Sequence, residues 1–158
     1  MRTVQIIDRD LLKQASSRAK ESPRRRMNYN FHASEGDACH RLLNAIEPDS
    51  YIPPHCHHDA RKDETLIVVR GRIGVVFFDE RGSVTSKALL APGGDASGVN
   101  IPHGVYHTLV ALEPDSVFFE VKAGPYAPLK PEERAPWAPT EGEPQASSYL
   151  VRMKQLFA

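Results

Sequence analysis

His55 and His57 stand two residues apart in the run Pro53-Pro54-His55-Cys56-His57-His58-Asp59-Ala60-Arg61-Lys62-Asp63-Glu64, and an apolar β-type run, Thr65 to Val69, follows at once. On extended backbone, residues i and i+2 face the same way. Both imidazoles can therefore reach one point while Cys56 faces away. Glu64, at the head of the next strand, offers a third ligand. Two imidazoles and a carboxylate suit a divalent transition metal such as zinc, manganese, iron, nickel or copper. Downstream, in Asn100-Ile101-Pro102-His103-Gly104-Val105-Tyr106-His107, His107 opens a strand directly after a Pro-X-Gly turn. That sets another imidazole at a sheet mouth, near the end of the Glu64 strand if the sheet rolls up.

The elements that must position these groups read as short strands. Cys39 to Ile46, Thr65 to Val69, Ile73 to Phe78, Val84 to Leu90, Val99 to Pro102, Tyr106 to Leu112 and Ser116 to Lys122 are each bounded by turn residues. Recurrence every eight to twelve residues or so is the pattern of a sandwich or barrel. Arg70-Gly71-Arg72 reads as a tight turn with Gly71 at positive φ, which makes Thr65–Val69 and Ile73–Phe78 a hairpin. Ahead of the strands, Thr3 to Ile7 reads as a short strand, and Asp8 as the cap of a helix running to about Lys20 with Leu11, Leu12 and Ala15 on its apolar side. After Gly124 the chain is proline-rich and lacks period. It reads as an arm strapped over the barrel and anchored by Trp137. Ser147 or Ser148 caps a last helix in which Leu150, Met153 and Phe157 share a face.

Met27 to Ala33 alternates, with Asn28, Asn30 and His32 on one face and Met27, Tyr29 and Phe31 on the other. If the polar set faces inward it lines a cavity; if the aromatic set does, the polar row faces solvent. Together with Arg41, which on a strand can fork onto a carboxylate or phosphate, Asn28, Asn30 and His32 are the candidate substrate contacts. Arg24, Arg25 and Arg26 read as a solvated loop, with an anion clamp at a pocket mouth as the sharper alternative. His58 and His103 are off register and read as exposed. Tyr106 and Cys56 point away from the site and read as packing residues, Cys56 as a free thiol.

Here the residues carry a resemblance. His55-X-His57, then Glu64, six residues and Gly71, resembles the first cupin motif, and Pro102-X-Gly104-X-X-His107 resembles the second. The resemblance implies a small antiparallel jelly-roll barrel in which His55, His57, Glu64 and His107 bind one divalent metal: zinc, iron, manganese or nickel. Two positions depart from the motifs. Six residues separate His57 from Glu64 where three or four are usual, and Ala111 stands where Asn is common. The long gap leaves His58 and Asp63 as rival ligands; Glu64 is preferred because its step to Gly71 is intact. A closer resemblance covers nearly the whole chain: Ser22-Pro23-Arg24-Arg25-Arg26, Asn28-X-Asn30-Phe31-His32, Arg41-Leu42-Leu43-Asn44-Ala45, Pro54-His55-X-His57, Asp63-Glu64-Thr65, Gly124-Pro125-Tyr126 and Trp137-Ala138-Pro139 resemble the WbuC family of cupin-fold metalloproteins. Members of that family occur in settings linked to bacterial O-antigen and surface-polysaccharide (lipopolysaccharide) synthesis, which implies a sugar-derived small-molecule ligand.

Bulk properties narrow the function classes. The chain has 158 residues, 25% charged and 41% apolar, with 20 basic and 20 acidic residues giving a formal net charge of zero. Length favours one domain, residues 1–158, with an N-terminal extension 1–26, a jelly-roll core 27–123 and an arm 124–158. Neutrality argues against a general binder of nucleic acid or of anionic membrane, whose affinity needs excess positive charge. Neither a spanning apolar run nor a secretory leader is evident, so the expectation is a cytoplasmic protein with its two cysteines reduced. The fold expected is all-β: a small cupin jelly-roll barrel with a short N-terminal helix and a proline-rich arm ending in a helix. Exposed strand edges and the arm suit a homodimer. An enzyme using a Lewis-acid metal for isomerase, epimerase or lyase chemistry, an iron-dependent dioxygenase and a non-catalytic metabolite-sensing module are the competing functions.

Overall fold

Every strand that borders the site shows two faces, and the faces have different partners. In the computed structural model, which describes residues 3–158, β1 (Arg26–Asn30), β2 (Cys39–Ile46), β3 (Glu64–Arg70), β6 (Gly98–Ile101) and β8 (Ser116–Ala123) form one antiparallel sheet in the order β1-β2-β8-β3-β6. β4 (Ile73–Phe78), β5 (Val84–Leu90) and β7 (Tyr106–Ala111) form a second, in the order β5-β4-β7. Between the sheets the core packs Ile46, Leu66, Val68, Ile73, Val75 and Leu109, all buried. Each large aliphatic side chain so buried contributes about 1.5–3 kcal/mol.

The outer faces are covered by the flanking segments. Helix α1 (Arg9–Glu21) lays Ala15 and Ala19 against Leu43, Ala45 and Val117 of the larger sheet. Asp8 caps it, its carboxylate accepting from Leu11 N–H at 2.9 Å, a contact worth about 1 kcal/mol. Across the molecule, helix α2 (Ala146–Gln155) sets Tyr149, Leu150 and Met153 against Val76, Phe78 and Val110 of the smaller sheet. The arm reaches it through Trp137, whose ring lies 4.8 Å from Phe78 and 6.0 Å from Tyr106. The strap expected from the proline-rich composition is therefore docked.

Three local expectations are corrected. Residues 3–7 form no strand; Val4 and Ile6 are exposed, with no neighbouring strand among the described residues to pair with. Thr65–Val69 and Ile73–Phe78 are not a hairpin: β3 pairs with β6 and β8, and β4 with β5 and β7. The chain instead crosses between sheets at Gly71, whose φ is +76° and where a Cβ would lie 2.8 Å from the Ser116 Cα. At α2, Gln145 occupies the N-cap and Ser147 and Ser148 fall within the first turn. Burial of Ala146 against the sheet starts the helix before either serine can cap it. Among the described residues no helix is long and apolar enough to cross a membrane.

Candidate metal centre

Prolines 53 and 54 hold the chain extended into His55, and two neighbours then fix it. His55 N–H donates to the His107 carbonyl at 3.1 Å, and His107 N–H returns to the His55 carbonyl at 2.9 Å. From the other side the arm adds Cys56 N–H to the Glu133 carbonyl at 2.9 Å and Ala135 N–H to the Pro54 carbonyl at 3.1 Å. The histidine loop is thus held as an extra strand between β7 and the arm. Cys56 is fully buried, as its parity required, and burial raises its thiol pKa. Glu64 opens β3 opposite Ile101 on one side and Lys122 on the other.

Donor atoms of His55, His57 and Glu64 lie within 4.8 Å of one another. His57 Nε2 is 3.0 Å from one Glu64 oxygen and His107 Nε2 is 3.1 Å from the other. The His55 and His107 rings are 4.7 Å apart. Nδ1 of His55 lies 3.0 Å from the Pro53 carbonyl, and Nδ1 of His107 lies 2.9 Å from the Val105 carbonyl. A carbonyl can only accept, so these contacts place a proton on Nδ1 in both rings and turn Nε2 toward the site, the nitrogen left to bind a metal. His107 Nε2 then faces Glu64 Oε2 at 3.1 Å, a separation at which two lone pairs repel, so a cation, proton or metal, belongs between them. The donor chemistry therefore fits a divalent metal.

Electrostatics point the same way. Burial, reinforced by the neighbouring His107, pushes the His55 pKa down to about 3, so its imidazole is neutral. Burial of Glu64 opposes its charge, but the contacts with His107 and His57 and the nearby Lys122 outweigh it and hold the carboxyl well below its usual range. Lys122 Nζ lies 2.9 Å from Glu64 and 2.7 Å from Glu120. Burial disfavours the Lys122 charge, yet these two carboxylates win and raise its pKa, so it stays a cation. Asn44 donates to the other Glu120 oxygen at 2.8 Å.

These groups line an open cavity of about 410 Å³. His55, Glu64 and His107 share it with a polar wall of Asn28, Asn44, Glu120 and Lys122 and an apolar one of Ile52, Leu66, Leu109 and Phe118. A larger depression of about 630 Å³ between α1 and the end of β3 gathers residues such as Arg9, Lys13 and Arg70 and brings together no comparable donor set.

The structure separates the sequence candidates. The rivals of Glu64 lie apart: Asp63 is exposed and pairs with His103 at 2.8 Å, and His58 is exposed with its backbone N–H on Glu133. Of the polar row on β1, Asn28 faces the cavity opposite Asn44. Asn30 is exposed and lies outside the lining. His32 is buried, but it stacks on His40 with ring centres 4.0 Å apart, and its Nδ1 meets the Arg41 backbone. Arg41 is exposed and shares the outward parity of Leu43 and Ala45, so it does not enter the cavity. Sequence reasoning missed Asn44, Glu120 and Lys122. Their signal was polar residues at the inward parity of apolar strands, visible only once Phe118 or Ile46 is known to face in.

Comparison with solved structures bears on the fold. KdgF from Halomonas sp. aligns at a TM-score of 0.52 with 23% identity, over 67% of this chain and 84% of that one. TT1209 from Thermus thermophilus also gives 0.52 and 23%, over 76% and 97%. A cupin superfamily protein from Desulfitobacterium hafniense DCB-2 aligns at 0.48 with 12% identity, over 62% and 76%. The two antiparallel sheets with helices at either end are the cupin jelly roll that the motifs implied. No curated protein matches the sequence. The family described as Domain of unknown function (DUF6016) matches residues 7–90, and the chain belongs to that family.

Proposed function

We propose that the protein is a metal-dependent cupin enzyme in which His55, His57, Glu64 and His107 hold one divalent transition metal at the floor of a cavity that receives a small, oxygen-rich substrate. One observation carries this reading: the histidine Nε2 atoms and the Glu64 carboxylate converge where the cavity remains open. A structural metal is usually closed off by protein ligands, whereas a reactive one keeps accessible positions. When bound, the metal supplies Lewis-acid polarisation of a substrate oxygen. Lys122 holds a fixed positive charge beside it, Glu120 is oriented by Asn44 and Lys122 to accept a proton, and Asn28 and Asn44 offer hydrogen bonds to hydroxyl groups. That polar wall supports a sugar-derived ligand. The resemblance to the WbuC family supports a place in surface-polysaccharide metabolism.

Elemental analysis of protein purified without added metal tests the reading, with the His55→Ala variant as control. The expected result is about one metal per chain, with affinity at least tenfold weaker in the variant. Zinc, nickel or manganese would support Lewis-acid chemistry, and iron would redirect the proposal to oxygen-dependent chemistry. A protein that retains no metal, or a variant that binds it equally well, would sink the central claim.

A further inference from the structure

Arg24 and Arg26 stand two apart at the entry to β1, and both close on a single carboxylate, Glu141 of the arm. Arg24 Nε lies 3.1 Å from each Glu141 oxygen, and the Nη1 and Nη2 of Arg26 each lie 2.9 Å from one of them. Arg26 is held independently of this pair. It also donates to the Tyr51 carbonyl at 3.0 Å and to Ser50 Oγ at 3.2 Å, and its side chain is only 16% exposed. The fork is therefore in place before any ligand arrives, which lowers the ordering cost of binding.

Position gives the pair its meaning. Arg24 and Arg26 line the cavity that holds Glu64 and His107, and they also line an adjoining one of about 430 Å³ on the arm side, which shares His55. Two guanidinium groups against one carboxylate leave one positive charge in excess and more N–H donors than two oxygens fully use. Glu141 itself sits in an irregular stretch, and its side chain is 35% exposed. The arm is anchored elsewhere, by Trp137 on Phe78 and by the Tyr51 hydroxyl on the Pro139 carbonyl at 2.8 Å. Releasing Glu141 therefore does not release the arm.

We propose that Arg24 and Arg26 recognise an oxyanion group, carboxylate or phosphate, carried by the substrate of the metal cavity, and that Glu141 is its resident stand-in, displaced when substrate enters. The inference deepens the metal-cavity reading and rests on it for the fate of the rest of the substrate. It narrows the substrate class to an acidic or phosphorylated small molecule. The arginines supply binding and orientation; no bond is made or broken at this site.

Calorimetric titration of the full-length, metal-loaded protein tests it, using inorganic phosphate, glucuronate and uncharged glucose as probes. Glu141→Gln removes the competitor while keeping the shape of the side chain. It is expected to bind the oxyanion probes at least tenfold more tightly than the parent, with glucose binding unchanged. Arg26→Gln and Arg24→Gln are expected to weaken the same probes at least tenfold. A larger gain for phosphate assigns a phosphoryl group, and a larger gain for glucuronate assigns a carboxylate. Equal or weaker oxyanion binding by Glu141→Gln, with an unchanged circular dichroism spectrum, overturns the proposal. So does oxyanion binding that survives both arginine substitutions, or its absence from every protein. If Glu141→Gln does not fold, the arginine variants decide alone. Metal content measured on the same samples separates the two readings: metal retained with no oxyanion response overturns this one only, and metal lost with the response intact supports it while removing the other.

Discussion

Lys122 decides the charge balance of the centre, because it is the cation that holds Glu64 and Glu120 together at 2.9 and 2.7 Å. Lys122→Met should leave two carboxylates facing one cavity without a counter-charge. Breaking a fully buried pair costs about 3–5 kcal/mol. The Lys122 side chain is 26% exposed, so solvent screens part of that, and a loss of about 2 kcal/mol is expected for metal-free protein. Added zinc should restore most of it, since a divalent cation at Glu64 replaces the missing charge. Urea unfolding with and without chelator checks this, and a loss that zinc leaves untouched would contradict the assigned role. At this scale the sequence was most legible where chemistry imposes spacing. His55 and His57 are paired by their spacing, Glu64 and His107 are added by the likeness to the cupin motifs, and in the structure His57 and His107 lie 3.0 and 3.1 Å from the two Glu64 oxygens. Lys122, Glu120 and Asn44 were not legible, because a single polar residue on a strand looks solvent-facing until its neighbours are known. Arg41 shows the converse: its type suited the site, but its parity turned it to the outer face.

Elements were legible as units and not as partners. Apolar runs and turn residues marked β2, β4 and β5 to the residue. Sheet membership escaped because two strands joined by a tight turn look like a hairpin in any one-dimensional reading. The crossing at Gly71 is decided by a distant element: the Ser116 backbone packs where a side chain at 71 would stand. Gly71→Ala therefore meets both the positive φ and this contact. A destabilisation of about 3 kcal/mol is expected from strain plus overpacking, measured by urea unfolding. Gly104→Ala serves as the control. It has a similar φ of +78° but nothing within 4 Å, so it should lose less. Equal losses at the two sites would show that the Ser116 contact contributes nothing.

For the whole molecule, the arm is part of the fold. It places Tyr149, Leu150 and Met153 on Val76, Phe78 and Val110, and it pins the His55 loop through Glu133 and Ala135. Each large apolar side chain uncovered costs about 1.5–3 kcal/mol, against a total stability of about 5–15 kcal/mol for a domain. Truncation after residue 123 should therefore give a chain without fixed tertiary packing. Loss of the near-ultraviolet circular dichroism signal would show it, and a native-like spectrum would refute it. Composition marked the arm, since prolines break up the stretch ahead of α2 and its tryptophan has to pack. Which face it covers depends on the sheet, and that was not written locally. The same arrangement leaves the molecule with a matched pair of optical handles. Cys39 is exposed at the start of β2, Cys56 is sealed in the interior, and the single Trp137 rides on the arm. A thiol-reactive dye will therefore label Cys39 alone. Energy transfer from the native indole then reads the distance between barrel and arm, with no residue engineered for the purpose.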